Sequence, residues 1–263
     1  MNITEQWQKV LQRGGYEHHL KGFEDCQKLK NFSRLWRRIF RITKINSITS
    51  PKLRKVFEVG CGGGKHLVPF ALNNWQCTGI DCSKEVLERA ANFIKEVSLI
   101  CRQDISIELI EGDFLTYQSG EKERFDLVYQ VGVLEHFLDD KERLNFQKKM
   151  FELTKPGGYV ISIVPNGIQP LRKEMREKGL GGYNISEMDY SPEIFKKELK
   201  ECGSVNIDIL GHNIFNYIFL KEGKFKFFKK IFYLAWQIIP LSILPKKFVY
   251  RHSHVLIGIA KKL

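Results

Sequence analysis

The sequence predicts an α/β fold, a doubly wound and mostly parallel sheet of seven strands. Three observations carry this expectation. Beyond residue 55, short apolar runs alternate with segments of helical period. The first run ends in a glycine cluster, Gly60-Cys61-Gly62-Gly63-Gly64. Carboxylates, Glu58, Asp81 and Asp113, stand at the carboxyl ends of three successive runs. The composition agrees: 263 residues, 43% hydrophobic and 27% charged, form a core readily and exclude a disordered chain, a collagen or a coiled coil.

The elements follow in order. Val56–Val59 is a short apolar strand, and Lys65–Asn74 reads as a helix. Gln76–Asp81 is the second strand. The helix Ser83–Lys95 has Ser83 as its N-cap and places Val86, Leu87, Ala90, Phe93 and Ile94 on one face. Ile105–Glu111 and Phe125–Gln130 are the next strands, and Lys141–Leu153 is a helix. Lys155-Pro156-Gly157-Gly158 is a turn leading into strand Tyr159–Val164. Ser191-Pro192-Glu193 combines an N-cap with proline at the first helical position, opening a helix to Cys202. Val205–Leu210 and Val255–Ala260 close the sheet, the last strand antiparallel. Residues 1–50 form an N-terminal helical arm, and 51–263 the main domain, with a hydrophobic insertion at 217–251 before the last strand.

The net charge of +12 is unevenly spread. Residues 1–55 and 221–263 carry +9 each, and residues 56–220 carry −6. Two basic flanks surround an acidic middle, a distribution that attracts phosphate-bearing surfaces. The six cysteines include no CxxC pair, so no zinc site and no disulfide framework is signalled. Reduced thiols, no signal peptide and a cytoplasmic location are the expectation.

The glycine loop lets a ligand approach the backbone closely. A dinucleotide fingerprint, G-x-G-x-x-G, would put its last glycine at Lys65. Glu58 at the mouth would repel a pyrophosphate and suits a cationic ligand. Asp81 is placed to accept both hydroxyls of a ribose, and Asp113 to accept from an adenine amine with Phe114 against the ring.

With these residues the sequence resembles class I S-adenosylmethionine-dependent methyltransferases, especially the group acting on small molecules. FEVGCGGG, GIDCS and EGDF resemble the family's first three motifs, and FDLVYQVGVLEHF and LTKPGGYVISIVPN its fourth and fifth strands. The resemblance implies a Rossmann-like seven-stranded sheet with S-adenosyl-L-methionine as cofactor. It implies Glu58 near the methionine amino group, with Gly60, Cys61 and Gly62 lining it. It implies Asp81 at the ribose, Asp113 with Phe114 at the adenine and Gln130 beside the methionine, with Cys82 and Val131 among the further cofactor-binding residues.

Glu135-His136 follows strand four, where an acceptor approaches the methyl group, and His136 is the candidate base. The alternatives are structural hydrogen bonds or a divalent metal held with Asp139 or Asp140; no metal is expected. Tyr16, His18 and His19 in the arm, with Asn166 and Tyr183, are candidate acceptor contacts, the arm acting as a lid. The chain lacks an N/D-P-P-Y/F sequence after strand four and a Pro-Cys dipeptide, which disfavours two nucleic-acid branches. A small-molecule acceptor methylated on oxygen or nitrogen is expected. A tRNA or rRNA methyltransferase and a non-catalytic cofactor-binding module remain alternatives. The basic-aromatic run 224–247 is too short and too broken by Pro240 to span a bilayer. It suits a peripheral membrane contact, a homodimer contact or packing on its own sheet edge. Monomer and homodimer both remain open.

Overall fold

A computed structural model describes residues 11–12, 14–45, 53–118, 120, 123–177, 185–204, 206–219, 226–239 and 241–263. Two helices, α1 (Phe23–Lys30) and α2 (Arg34–Thr43), precede β1 (Lys55–Val59), α3 (Val68–Leu72), β2 (Gln76–Asp81), α4 (Lys84–Cys101) and β3 (Ile107–Glu111). The second half runs β4 (Phe125–Val131), α5 (Asp140–Leu153), β5 (Thr154–Pro165), α6 (Pro170–Glu177), α7 (Pro192–Glu201), β6 (Asn206–Ile214), α8 (Lys226–Ile238), α9 (Lys246–His252) and β7 (Ser253–Lys261).

The seven strands form one sheet in the order β3-β2-β1-β4-β5-β7-β6. All pairings are parallel except those of β7, which runs against both β5 and β6. The strand order reverses between β1 and β4, and a ligand crevice opens at the carboxyl ends beside such a reversal. One face is covered by α1 to α4, where Trp36 meets Phe70 and Tyr129 edge-on at 4.9 and 4.7 Å. The other is covered by α5 and α7 through Phe146, Met150, Phe195 and Leu199. Arg143 and Glu198 pair at 2.9 Å in that second layer, and Tyr190 and Gln147 donate to the same carboxylate at 2.9 and 2.8 Å. Burying charge is costly unless it is paired and its remaining lone pairs are hydrogen-bonded, as here.

Side-chain caps set the helix starts. Ser83 accepts from the Val86 amide, Ser191 from that of Ile194, and Asp139 from those of Lys141 and Glu142. Several boundaries differ from the sequence expectation. The helix after the glycine loop is only Val68–Leu72, because Pro69 sits in its first turn and residues 61–67 are wound in tight turns. Helix α4 continues past Lys95 because Val97 and Cys101 extend its buried face. Strand β5 begins at Thr154, which pairs with Phe125 ahead of an irregularity in the ladder. The insertion folds as α8 and α9 around Phe215, whose ring lies 5.0 Å from Trp236 and 6.0 Å from Phe248.

The expectation of wholly reduced thiols is corrected. Cys26 of α1 and Cys101 at the end of α4 form a disulfide, which sequence spacing could not signal because the two lie 75 residues apart. No helix among the described residues is long and apolar enough to cross a membrane.

Candidate active site

The glycine loop is held by its neighbours on both sides. The amides of Gly60 and Cys61 both donate to the Ile80 carbonyl, at 2.8 and 3.0 Å, tying the loop to β2. Gly60 has φ +66°, and a side chain there would overlap Val133 in the loop after β4. Gly62 has φ +51°, and an added Cβ would lie 2.8 Å from the ring of Tyr16. The arm therefore rests directly on this loop.

Asp81 sits half-buried at the carboxyl end of β2. One carboxylate oxygen accepts from the Gly62 amide and the other from the Ser83 amide, both at 3.0 Å. Burial pushes its carboxyl up, and these backbone bonds oppose the rise. A carboxylate has about four lone-pair sites, so acceptor capacity remains for two hydroxyls. Glu58 is buried under the same loop, where its carboxylate accepts from the Tyr129 hydroxyl at 3.0 Å. Burial, with Asp81 nearby, holds its carboxyl well above the usual range. A bound ammonium would draw the proton off, so Glu58 fits a cationic group. This braced, half-open acid pair under a glycine cradle fits the amino acid and ribose portions of S-adenosylmethionine. Cys61 is buried, and burial with Glu58 beside it pushes its thiol up, which removes any thiolate role. The Cys82 thiol is pushed up too, by burial and then Asp81. Val131 is half-buried and packs against the core on the α1–α4 face.

Asp113 lies exposed past β3, and its carboxylate accepts from the Leu115 amide at 2.9 Å. Phe114 corrects the expectation: its ring turns into the core, 5.0 Å from Phe146, instead of offering a face to adenine. Gln130 is likewise corrected. It is fully buried, and its amide oxygen accepts from the backbone of Val133 and Leu134 at 2.9 and 3.3 Å. Its role is to shape the loop after β4.

That loop carries Glu135 and His136 in a single 3₁₀ turn, Leu134–His136. Burial pushes the Glu135 carboxyl up to about 8 and holds the His136 imidazole below its usual range. His136 Nδ1 lies 3.3 Å from the Ser186 carbonyl. The Met188 amide donates to the Glu135 carbonyl at 2.7 Å, so segment 185–189 is stitched to the turn. It brings in Glu187, whose carboxylate oxygen lies within 4.8 Å of a Glu135 carboxylate oxygen and a His136 ring nitrogen. Glu187 is ion-paired with Arg172 of α6. Glu187 was invisible to sequence reasoning, since only the fold brings it beside a turn some fifty residues earlier. Asp139 and Asp140, the metal partners considered from sequence, are instead a helix cap and a partner of Arg143.

The arm residues divide. Tyr16 covers Gly62, and His18 lies against Gly63 with its ring edge-on to Phe93 at 5.5 Å. His19 is corrected: it points down α4 and pairs with Glu96 at 3.0 Å, away from the glycine loop. Asn166 is also corrected. Its buried side chain donates to the carbonyls of Tyr250 and Ser253 at 2.6 and 2.8 Å, fastening β5 to the start of β7. Tyr183 lies outside the described residues. A residue not expected from sequence, Arg89 of α4, donates to the carbonyls of Leu11 and Gly15 and pairs with Glu17 at 3.4 Å, anchoring the arm.

Comparison with known proteins agrees with this geometry. Residues 56–158 match the family model described as a methyltransferase domain. The ubiquinone biosynthesis O-methyltransferase of Alkalilimnicola ehrlichii is 34% identical over 110 residues, covering 41% of this chain and 40% of that protein. That of Proteus mirabilis is 26% identical over 184 residues, covering 58% and 71%. The chain thus spans less than half the length of the first of these relatives. A solved SAM-dependent methyltransferase from Methanosarcina mazei shares the fold, with TM-score 0.57 and 16% identity over 83% of this chain and 97% of that one. Residues 56–158 thus match a methyltransferase domain, and the sheet has the fold of solved SAM-dependent methyltransferases.

Proposed function

We propose that this chain methylates a hydroxyl oxygen of a small, largely apolar molecule, with His136 as the base. The observation that carries this reading is the placement of His136, at the end of β4, with Nδ1 at the Ser186 carbonyl. Backbone carbonyls of Ser186 and Gly132 orient the imidazole in the turn after β4. Burial keeps the ring neutral at neutral pH, the state a base requires. S-adenosylmethionine, when bound, supplies a methyl group on a positively charged sulfur. Asp81 and Glu58 hold that molecule at its ribose and amino group, and Tyr16 with His18 closes the loop side against water. Glu135, protonated through neutral pH, stands beside the base as a hydrogen-bond donor. The relatives' O-methyltransferase names support oxygen over nitrogen. The α8–α9 insertion supports an acceptor that is apolar or held at a membrane.

The test is transfer of labelled methyl to a panel of hydroxylated aromatic and aliphatic acceptors. His136→Ala is expected to lower turnover by about 100-fold or more with cofactor affinity unchanged. A near-normal rate in that variant would leave His136 a structural residue. Salt-sensitive RNA binding with methyl transfer to RNA would replace the small-molecule reading.

A further inference from the structure

A second site lies away from the glycine loop. Between α2, the last half of β6 and the α8–α9 insertion is a cleft of about 740 Å³. One wall is the basic side of α2, with Arg37, Arg38 and Arg41, and Lys246 of α9 adds a fourth cation. Among the described residues no carboxylate pairs with any of these four. The Arg38 guanidinium donates to the Gly211 carbonyl of β6, which fixes it in the cleft floor with further N–H groups to spare. The opposite wall is apolar, built from Trp236, Ile239, Leu241 and Leu244. Helix α8, which supplies Trp236, also turns large apolar side chains outward: Phe227 is 70% and Phe228 66% exposed, and Ile231 and Leu234 are close to half exposed. The aromatic cluster at Phe215 fastens the helix by Phe232 and Trp236, so this outward face is held in place.

We propose that this cleft binds the phosphomonoester headgroup of an anionic membrane lipid, while the exposed face of α8 lies in the surrounding hydrocarbon. Charge complementarity selects the occupant. Four cations exceed what one carboxylate neutralises, whereas a phosphomonoester brings up to two charges and three acceptor oxygens. Arginine forks match those oxygens in pairs. The apolar wall accommodates the first carbons of an attached chain, which a free phosphate or a nucleic-acid backbone lacks. Exposed aromatics beside cations are the composition of a helix lying in a membrane interface. None of these residues belongs to the methyl-transfer site, so failure of the cleft would leave methyl transfer at His136 standing and remove only the insertion's support for a membrane-held acceptor.

The experiment is vesicle co-sedimentation with the full chain. Phosphatidylcholine vesicles doped with phosphatidic acid are compared with vesicles doped with phosphatidylserine to equal surface potential. Binding to phosphatidic acid is expected to be tighter by about tenfold or more. The Arg37→Gln/Arg41→Gln pair, both on the exposed side of α2, is expected to lose that preference while melting like the wild type. Should that pair melt differently, Lys246→Gln on a separate element carries the same expectation. Phe227→Ser/Phe228→Ser is expected to lose vesicle binding yet keep calorimetric binding of a soluble short-chain phosphatidate. Equal binding to both vesicle types, or a preference that survives the cleft substitutions, would overturn the site. So would inorganic phosphate binding as tightly as the short-chain lipid, or RNA displacing it. Absence of vesicle binding together with a dimer by light scattering would assign the α8 face to a second copy instead.

Discussion

The carboxyl edge of β1 and β2 and the cleft beside β6 belong to one sheet yet present opposite chemistry. At the first, two carboxyls, Glu58 and Asp81, are held under a glycine loop by backbone amides and a tyrosine hydroxyl. At the second, arginines and a lysine face a wall of tryptophan and aliphatic side chains. The acidic edge is built from the middle of the chain, net −6, and the basic cleft from the two flanks, +9 each. The fold thus brings two sequence-distant basic segments together at the β6 margin of the sheet, several strands across from the glycine loop at β1. A single positive field would draw in any polyanion, whereas here the acidic and basic regions are kept apart.

The comparison can be broken first at the basic end. His212 is buried in the cleft, and burial, then Arg38 and Arg34, lowers its imidazole to about 4. A folded pKa below the unfolded value means stability that is present above pH 6.5 and lost as pH falls toward 4. The shift corresponds to about 3 kcal/mol. Chemical denaturation at stepped pH is expected to show the wild type weakening through that window and His212→Gln losing about 3 kcal/mol less. An equal loss in both would mean that His212 is not held neutral by the cleft.

At the acidic end, Asp81→Ala removes a charged acceptor and is expected to weaken S-adenosylmethionine binding by about 1.5–3 kcal/mol, roughly 10- to 100-fold. Calorimetry giving an unchanged affinity would refute the ribose assignment. The same substitution leaves the cleft untouched, so vesicle binding measured alongside it should not change. The smallest effect belongs to the arm. Arg89→Ala removes the donor that Leu11 and Gly15 share, worth about 1 kcal/mol. Faster amide hydrogen exchange at residues 14–20, with α4 itself unchanged, is the expected readout. Uniform exchange across both would show that Arg89 acts on helix stability instead.

Much of the sheet was legible because strands and caps are local signals. The apolar runs, Ser83 and Ser191 each announce themselves within a few residues. The acids at the strand ends were legible for the same reason, since strand direction alone places them on one edge. Residues whose roles depend on distant partners were not legible. Gln130 looked like a site residue from its place after β4, but the amides of Val133 and Leu134 claim its side chain. Asn166 is claimed by the start of β7, and His19 by Glu96. Glu187 and the Cys26–Cys101 bridge join segments with no spacing rule between them. In each case the missing information was a tertiary contact.

The reversed direction of β7 carries a consequence for how this scaffold can diversify. Ile214 at the end of β6 pairs with Ser253 at the start of β7, so the connection leaves and returns at the carboxyl edge. Whatever is spliced between those two positions is delivered to the reacting side of the sheet without shifting the register of any strand. Lengthening such a connection adds little closure entropy, about 0.6 kcal/mol per doubling. The hairpin is therefore a cassette port: a graft there is expected to change which compounds or surfaces the domain meets, while the cofactor machinery at β1 and β2 is inherited unaltered.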